Sequence, residues 1–172
     1  MPNRKPILET GLRWLWITVL FLIVDQLTKH MAVDYFENSA IQRVEVMPFF
    51  NFVLAYNKGA AFSFLADQGG WQVHFFSIIS TVVSVGLLCW LYTLSAKNRW
   101  LSISLSLILA GALGNLHDRL FVEQGVVDFI DWYYESYHFP AFNIADAVIF
   151  LGAAMMLYDS FMHPQETDSD KE

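Results

Sequence analysis

Seven polar side chains lie in or beside the most apolar parts of this sequence, at spacings that suit acid–base chemistry. Asn115, Asp118 and Arg119 stand at i, i+3 and i+4, on one face of a helix, and Asn143 and Asp146 stand at i and i+3. Asp25 and Asp128 come from two other parts of the chain. Two carboxylates that face one another repel, so one pKa rises and the pair shares a single proton. Such a pair can activate water with one member and protonate a carbonyl or a leaving amine with the other. Ionisable groups are expensive in apolar segments, which makes each of these a functional candidate. Taken singly, each also has a plain structural reading. Asp25 and Lys29, at i and i+4, could form a stabilising pair, and Asp118 with Arg119 could mark a helix end. Asp146 could complement the dipole of a first helical turn. Asn57 could be a turn residue in Tyr56-Asn57-Lys58-Gly59.

The elements that must position these groups follow from hydropathy. A membrane-spanning helix needs about 20 mostly apolar residues. The sequence offers four such spans, at about residues 12–32, 71–94, 100–118 and 142–161. The fold class expected is an all-α membrane protein of four transmembrane helices, forming one integral membrane domain over residues 1–172. A small β-rich subdomain is expected between helices 1 and 2, because Ile41 to Phe52 is rich in β-branched and aromatic residues and partly alternates. The first span could instead be a secretory signal peptide. However, Asp25-Gln26-Leu27-Thr28-Lys29 stands where a small-residue cleavage site would lie, which favours a retained helix.

Composition supports a bilayer as the solvent. Hydrophobic residues make up 55% and charged residues 16%, whereas an ordinary soluble protein has about 25% charged. Arg4, Lys5 and Arg13 precede span one, Lys97 and Arg99 lie between spans two and three, and 121–141 contains no Lys or Arg. The positive-inside rule then puts both termini and the acidic tail, 162–172, in the cytoplasm. It puts the segments 33–70 and 121–141 outside, so the polar set gathers at the outer face. The net charge of −7, with no basic–aromatic patch, argues against nucleic acid. The lone cysteine, Cys89, allows no intramolecular disulfide and is expected as a small buried hydrophobe. His74, His117 and His138 are scattered singly without zinc-ligand spacing, so no metal is expected.

Two rival functions stay open on these grounds. A small transporter or channel could use carboxylates as a proton or cation relay, although a relay should spread acids through the depth of the membrane. A non-catalytic assembly factor could carry the polar set incidentally.

Five motifs narrow the choice. Val24-Asp25-Gln26-Leu27-Thr28-Lys29, Tyr56 to Ser63 (YNKGAAFS), Gly111 to Arg119 (GALGNLHDR), Val126 to Ile130 (VVDFI) and Phe139 to Asp146 (FPAFNIAD) occur in that order. Together they resemble lipoprotein signal peptidase (signal peptidase II). The resemblance implies a bacterial inner-membrane aspartic peptidase that needs no cofactor. It implies cleavage of prolipoproteins on the amino side of a cysteine carrying diacylglycerol, with the lipid chains in the bilayer, and sensitivity to globomycin-type inhibitors. It puts the catalytic dyad on Asp128 and Asp146 and supporting polar roles on Asp25, Asn57, Asn115, Arg119 and Asn143. It leaves Asp118 a structural role. The long first connection would match the family's β-cradle.

Overall fold

A computed structural model describes residues 6–59 and 69–162. The ends of the chain and motif residues 60–63 lie outside the described residues. Two short 3₁₀ turns, Ile7–Glu9 and Gly11–Trp14, lead into α1 (Leu15–Glu37). Strands β1 (Arg43–Met47) and β2 (Phe50–Asn57) follow, then α2 (Trp71–Thr93) and α3 (Arg99–Phe121). Strands β3 (Val126–Tyr134) and β4 (Tyr137–His138) precede α4 (Ile144–Met162). Among the described residues, four helices are long and apolar enough to cross a membrane.

α3 is the central helix. Its Leu105 and Leu109 pack with Leu87 and Leu91 of α2, and its Leu107 and Ala110 pack with Ile17 of α1 and Val148 of α4. Small residues let α3 and α4 approach closely, since dispersion and close backbone packing drive helix association where lipid is the solvent. A Cβ on Gly111 would run into the Ala145 carbonyl oxygen, and one on Gly152 would come within 2.6 Å of the Ser104 carbonyl oxygen. Among the described residues, nothing lies within 4 Å of that position at Gly86 on α2. Gly111→Ala is therefore expected to cost about 1–3 kcal/mol of stability, as overpacking does. Gly86→Ala should be neutral or stabilise by up to about 1 kcal/mol through helix propensity. Unfolding titrations of the two variants in mixed detergent check this difference.

Among the described residues, α2 shows protein contact on one side only. Ile78, Val82 and Val85 are more than half exposed, as is Phe150 of α4. In water such a surface would be an aggregation hazard, whereas in a bilayer it is the ordinary outer face. Cys89 lies on this exposed face. The expectation that it is buried is thus corrected: among the described residues α2 packs against a single neighbouring span, which leaves Cys89 uncovered.

The sheet is antiparallel, in the order β1-β2-β3-β4. Only half of it comes from the connection between α1 and α2, where the sequence suggested a β subdomain. The other half comes from the connection between α3 and α4. β3 was hard to read because it does not alternate: Val126, Val127, Asp128 and Phe129 are all buried. Asn57 pairs with Val126 and Ala55 with Asp128, so the sheet brings the end of β2 beside the start of β3. At its far end Asp131 accepts a hydrogen bond from Asn51 Nδ2 at 2.9 Å and lies 2.9 Å from His138 Nδ1, fastening β4 to the sheet.

Candidate active site

The site begins with the first turn of α4. A helix start leaves four backbone N–H groups without intrahelical partners. Asn143 Oδ1 accepts the Asp146 N–H at 2.9 Å, and Asp146 Oδ2 accepts the Asn143 N–H at 3.3 Å. This reciprocal pair is a capping box. Asp25 Oδ1, from α1, accepts a third N–H, that of Ala145, at 2.8 Å. The plain reading of Asp146 as a first-turn carboxylate is therefore correct as far as it goes. Its other oxygen, however, accepts a hydrogen bond from Asn115 Nδ2 of α3 at 2.8 Å.

Asp128 arrives from the sheet. Gly125 turns the chain into β3 with φ +109°, and a Cβ there would come within 2.6 Å of the Asn57 carbonyl oxygen. Asp118 Oδ2 accepts the Val127 N–H at 3.1 Å and so fixes the residue just before Asp128. Asn143 Nδ2 donates to Asp128 Oδ1 at 2.7 Å, and Asn57 Nδ2 to Asp128 Oδ2 at 3.4 Å. Asn143 Nδ2 also lies 3.2 Å from Asn115 Oδ1. Two amide side chains thus join the two carboxylates in the order Asp128, Asn143, Asn115, Asp146. Burial, and then the charge of Asp146, push the Asp128 carboxyl up to about 7, against the opposing hydrogen bonds of Asn57 and Asn143 and the charge of Lys29.

Below this chain of hydrogen bonds lies a buried cation. Lys29 Nζ sits 2.9 Å from Asp25 Oδ2 and 2.8 Å from Asp118 Oδ2, and donates to Asn115 Oδ1 at 3.1 Å. An ammonium has three protons to donate, and each has an acceptor here. Lys29 is 2% exposed, Asp25 1% and Asp118 1%, so all three charges are withdrawn from solvent. The sequence reading gave Lys29 no more than a pairing with Asp25. A lysine inside a membrane-length apolar helix was the signal available for a larger role. Asp118 also does more than end a helix, because it ties α1 to β3 through Lys29 and Val127.

The structure thus brings Asp25, Asn57, Asn115, Asp128, Asn143 and Asp146 into one connected network. Arg119 stands at its edge. Its described hydrogen bonds run from Nη1 to the Asn115 carbonyl at 3.2 Å and from Nη2 to the Gly59 carbonyl at 3.0 Å. Its guanidinium lies 5.7 Å from the centre of the Phe76 ring. It braces the end of β2 against α3 and makes no described hydrogen bond to either carboxylate of the pair. Among the described residues, no three His, Cys, Asp or Glu side chains gather in a way that could hold a metal ion.

Four membrane-length helices that hold a buried network of four carboxylates and their amide partners define a multi-pass membrane protein. The chain belongs to the signal peptidase II family: the model of that family, described as signal peptidase (SPase) II, matches residues 17–162. A lipoprotein signal peptidase of Aeromonas hydrophila subsp. hydrophila is 49% identical over 160 residues, covering 93% of this chain and 95% of that one. The lipoprotein signal peptidase of Alteromonas mediterranea is 50% identical over 153 residues, covering 89% of this chain and 82% of its own. A bacterial membrane enzyme structure solved by the in meso method at 2.3 Å resolution superposes with a TM-score of 0.74 at 31% identity. That match covers 91% of this chain and 93% of the solved one.

Proposed function

We propose that this chain is a membrane-embedded aspartic endopeptidase that removes the signal peptide from diacylglyceryl-modified prolipoproteins, cutting on the amino side of the lipidated cysteine. Asp128 and Asp146 are its catalytic dyad. The observation that carries this reading is the single hydrogen-bonded chain that joins both carboxylates through Asn143 and Asn115. Family membership supports the reaction class and the substrate.

In the mechanism, the ionised carboxylate of the dyad takes a proton from a water molecule as the water oxygen attacks the scissile carbonyl carbon. The protonated partner gives its proton to the carbonyl oxygen, which becomes a hydroxyl. The tetrahedral intermediate then collapses: the C–N bond breaks and the proton taken from water passes to the leaving amine. One hydroxyl of the intermediate returns its proton to the other carboxylate, which restores the shared proton of the pair. Asn143 and Asn115 hold the dyad, Asn57 positions the peptide beside Asp128, and Arg119 supports the end of β2. Asp25 orients the first turn of α4. The dyad titrates as a unit, so the proton is assigned to the pair.

The enzyme sits in the bacterial inner membrane with both termini and the tail 162–172 in the cytoplasm and the dyad near the periplasmic face. The distribution of Lys and Arg supports this orientation. The whole chain then forms one membrane domain with the sheet on the periplasmic side. The substrate's acyl chains lie in the bilayer between helices, and a globomycin-type cyclic peptide would compete for the dyad.

Purified protein in detergent, given a diacylglyceryl-modified prolipoprotein and its unmodified counterpart, tests the proposal. Cleavage of the modified precursor alone is the expected result; no cleavage, or equal cleavage of both, sinks it. Run as a pH series, the same assay reads the shared proton. The Asp128 carboxyl is pushed up to about 7, so the pair should give up its shared proton near that pH and the rate should fall on the alkaline side with a midpoint near that value. Asn57→Ala removes a hydrogen bond that favours the charged form, so its alkaline limb should lie at higher pH.

A further inference from the structure

A cavity of about 540 Å³ lies at the end of the helices away from the dyad, lined by Leu8, Glu9, Arg13, Ser95, Ala96, Lys97 and Arg99. Arg99 and Asn115 stand sixteen positions apart on α3, about 24 Å at 1.5 Å per residue. The cavity therefore belongs to the opposite membrane boundary. We infer that it is a binding site for the headgroup of an anionic phospholipid, with its phosphate held among Arg13, Lys97 and Arg99.

Topology alone explains basic residues at this end, since short flanking segments on one side of a membrane carry Lys and Arg. It does not explain a cavity whose lining segments are tied to one another by backbone hydrogen bonds. The N-terminal segment is fastened to the turn between α2 and α3 by two backbone hydrogen bonds, Gly11 N–H to the Leu94 carbonyl at 3.0 Å and Ala96 N–H to the Glu9 carbonyl at 2.9 Å. Thr10, wholly buried, tightens the same corner by donating to the Ile7 carbonyl at 2.8 Å and accepting from the Leu12 N–H at 3.3 Å. The lining carries three cations against the single carboxylate of Glu9. The start of α3 adds the positive end of its dipole, and its cap residue Asn98 offers no side-chain hydrogen bond there.

The surroundings favour a lipid over a free phosphate ester. Leu8, 75% exposed, supplies an apolar wall. Trp100, next to Arg99, donates from its ring nitrogen to the Met155 carbonyl at 2.8 Å and packs against Tyr158. The Arg13 guanidinium lies 5.9 Å from the centre of the Trp14 ring. Indole and phenol rings gathered at one level mark the headgroup boundary, and basic pockets at that depth suit anionic headgroups.

Native mass spectrometry of the full-length protein, titrated with phosphatidylglycerol, phosphatidylcholine or glycerol 3-phosphate, tests the inference. Phosphatidylglycerol should be retained at least about tenfold more tightly than phosphatidylcholine, and glycerol 3-phosphate should bind far more weakly. Arg13→Gln and Lys97→Gln should each weaken phosphatidylglycerol binding about fivefold. Glu9→Gln should strengthen it. Ala96→Trp keeps every charge and fills the cavity, so it should reduce phosphatidylglycerol to the level of phosphatidylcholine while the thermal melt stays close to wild type. Equal retention of the two lipids overturns the site, as does an Ala96→Trp variant that melts normally and binds phosphatidylglycerol like wild type. Binding of glycerol 3-phosphate as tight as that of the lipid would make it a phosphate-ester site and overturn the lipid assignment.

Discussion

Asp128→Asn and Asp146→Asn are each expected to lower the rate of prolipoprotein cleavage by at least about a thousandfold, within the range that general acid–base groups contribute. An amide can neither take a proton from water nor give one to the carbonyl oxygen, and either change leaves one carboxyl where the reaction needs two. Losses in such a pair are not additive, so the double variant should be scarcely slower than the slower single one. Folding is the necessary control. Asp146→Asn keeps an oxygen that can accept the Asn143 N–H of the capping box but sets its NH₂ against the Asn115 Nδ2 donor, so a loss of about 1–3 kcal/mol is expected. Asp128→Asn places an amide against the donors Asn143 and Asn57, so its melt needs separate measurement. A variant that melts like wild type and cuts at a comparable rate would remove its residue from the dyad.

Lys29→Met should be the most destabilising single change at this centre, by about 3–5 kcal/mol, the usual cost of breaking a buried ion pair from one side. The reason is what remains. Asp25 and Asp118 would be left without their cation and with almost no exposure to water. Both anchor the dyad at one remove, through the Ala145 and Val127 N–H groups, so cleavage should fall along with stability. Adding Asp118→Asn to Lys29→Met removes one uncompensated charge and should restore part of the lost stability, a coupling that a double-mutant cycle reads directly. Unfolding midpoints in mixed detergent measure it. Unchanged stability in Lys29→Met would mean that the three charges are solvated and the network is weaker than its distances imply.

Lys29 also marks the limit of what could be read from the chain. The spans were legible because apolar length is a local property, summed over neighbours in sequence. Asn115 with Arg119 and Asn143 with Asp146 were legible as helix-face pairs for the same reason. Lys29 meets Asp118 and Asn115 across more than 80 positions of sequence. No periodicity encodes that meeting, so only the partner at i+4 was visible. β3 escaped notice because it is covered on both sides and lacks the alternation that betrays a half-exposed strand. The exposure of Cys89 depends on how many neighbours α2 has, which hydropathy does not report.

Four helices of membrane length, acids and amides at their ends, and five ordered motifs that resemble one peptidase family are all readable along the chain. Those are consequences of local chemistry and spacing. Which acids face which amides is set by packing. Asp128 and Asp146 are linked because the close approach of α3 and α4 at Gly111 carries the first turn of α4 up to Asn115. The sheet then lays the start of β3 beside Asn57. A buried ammonium sets the charge beneath them, and its partners exist only once α1, α3 and β3 have packed.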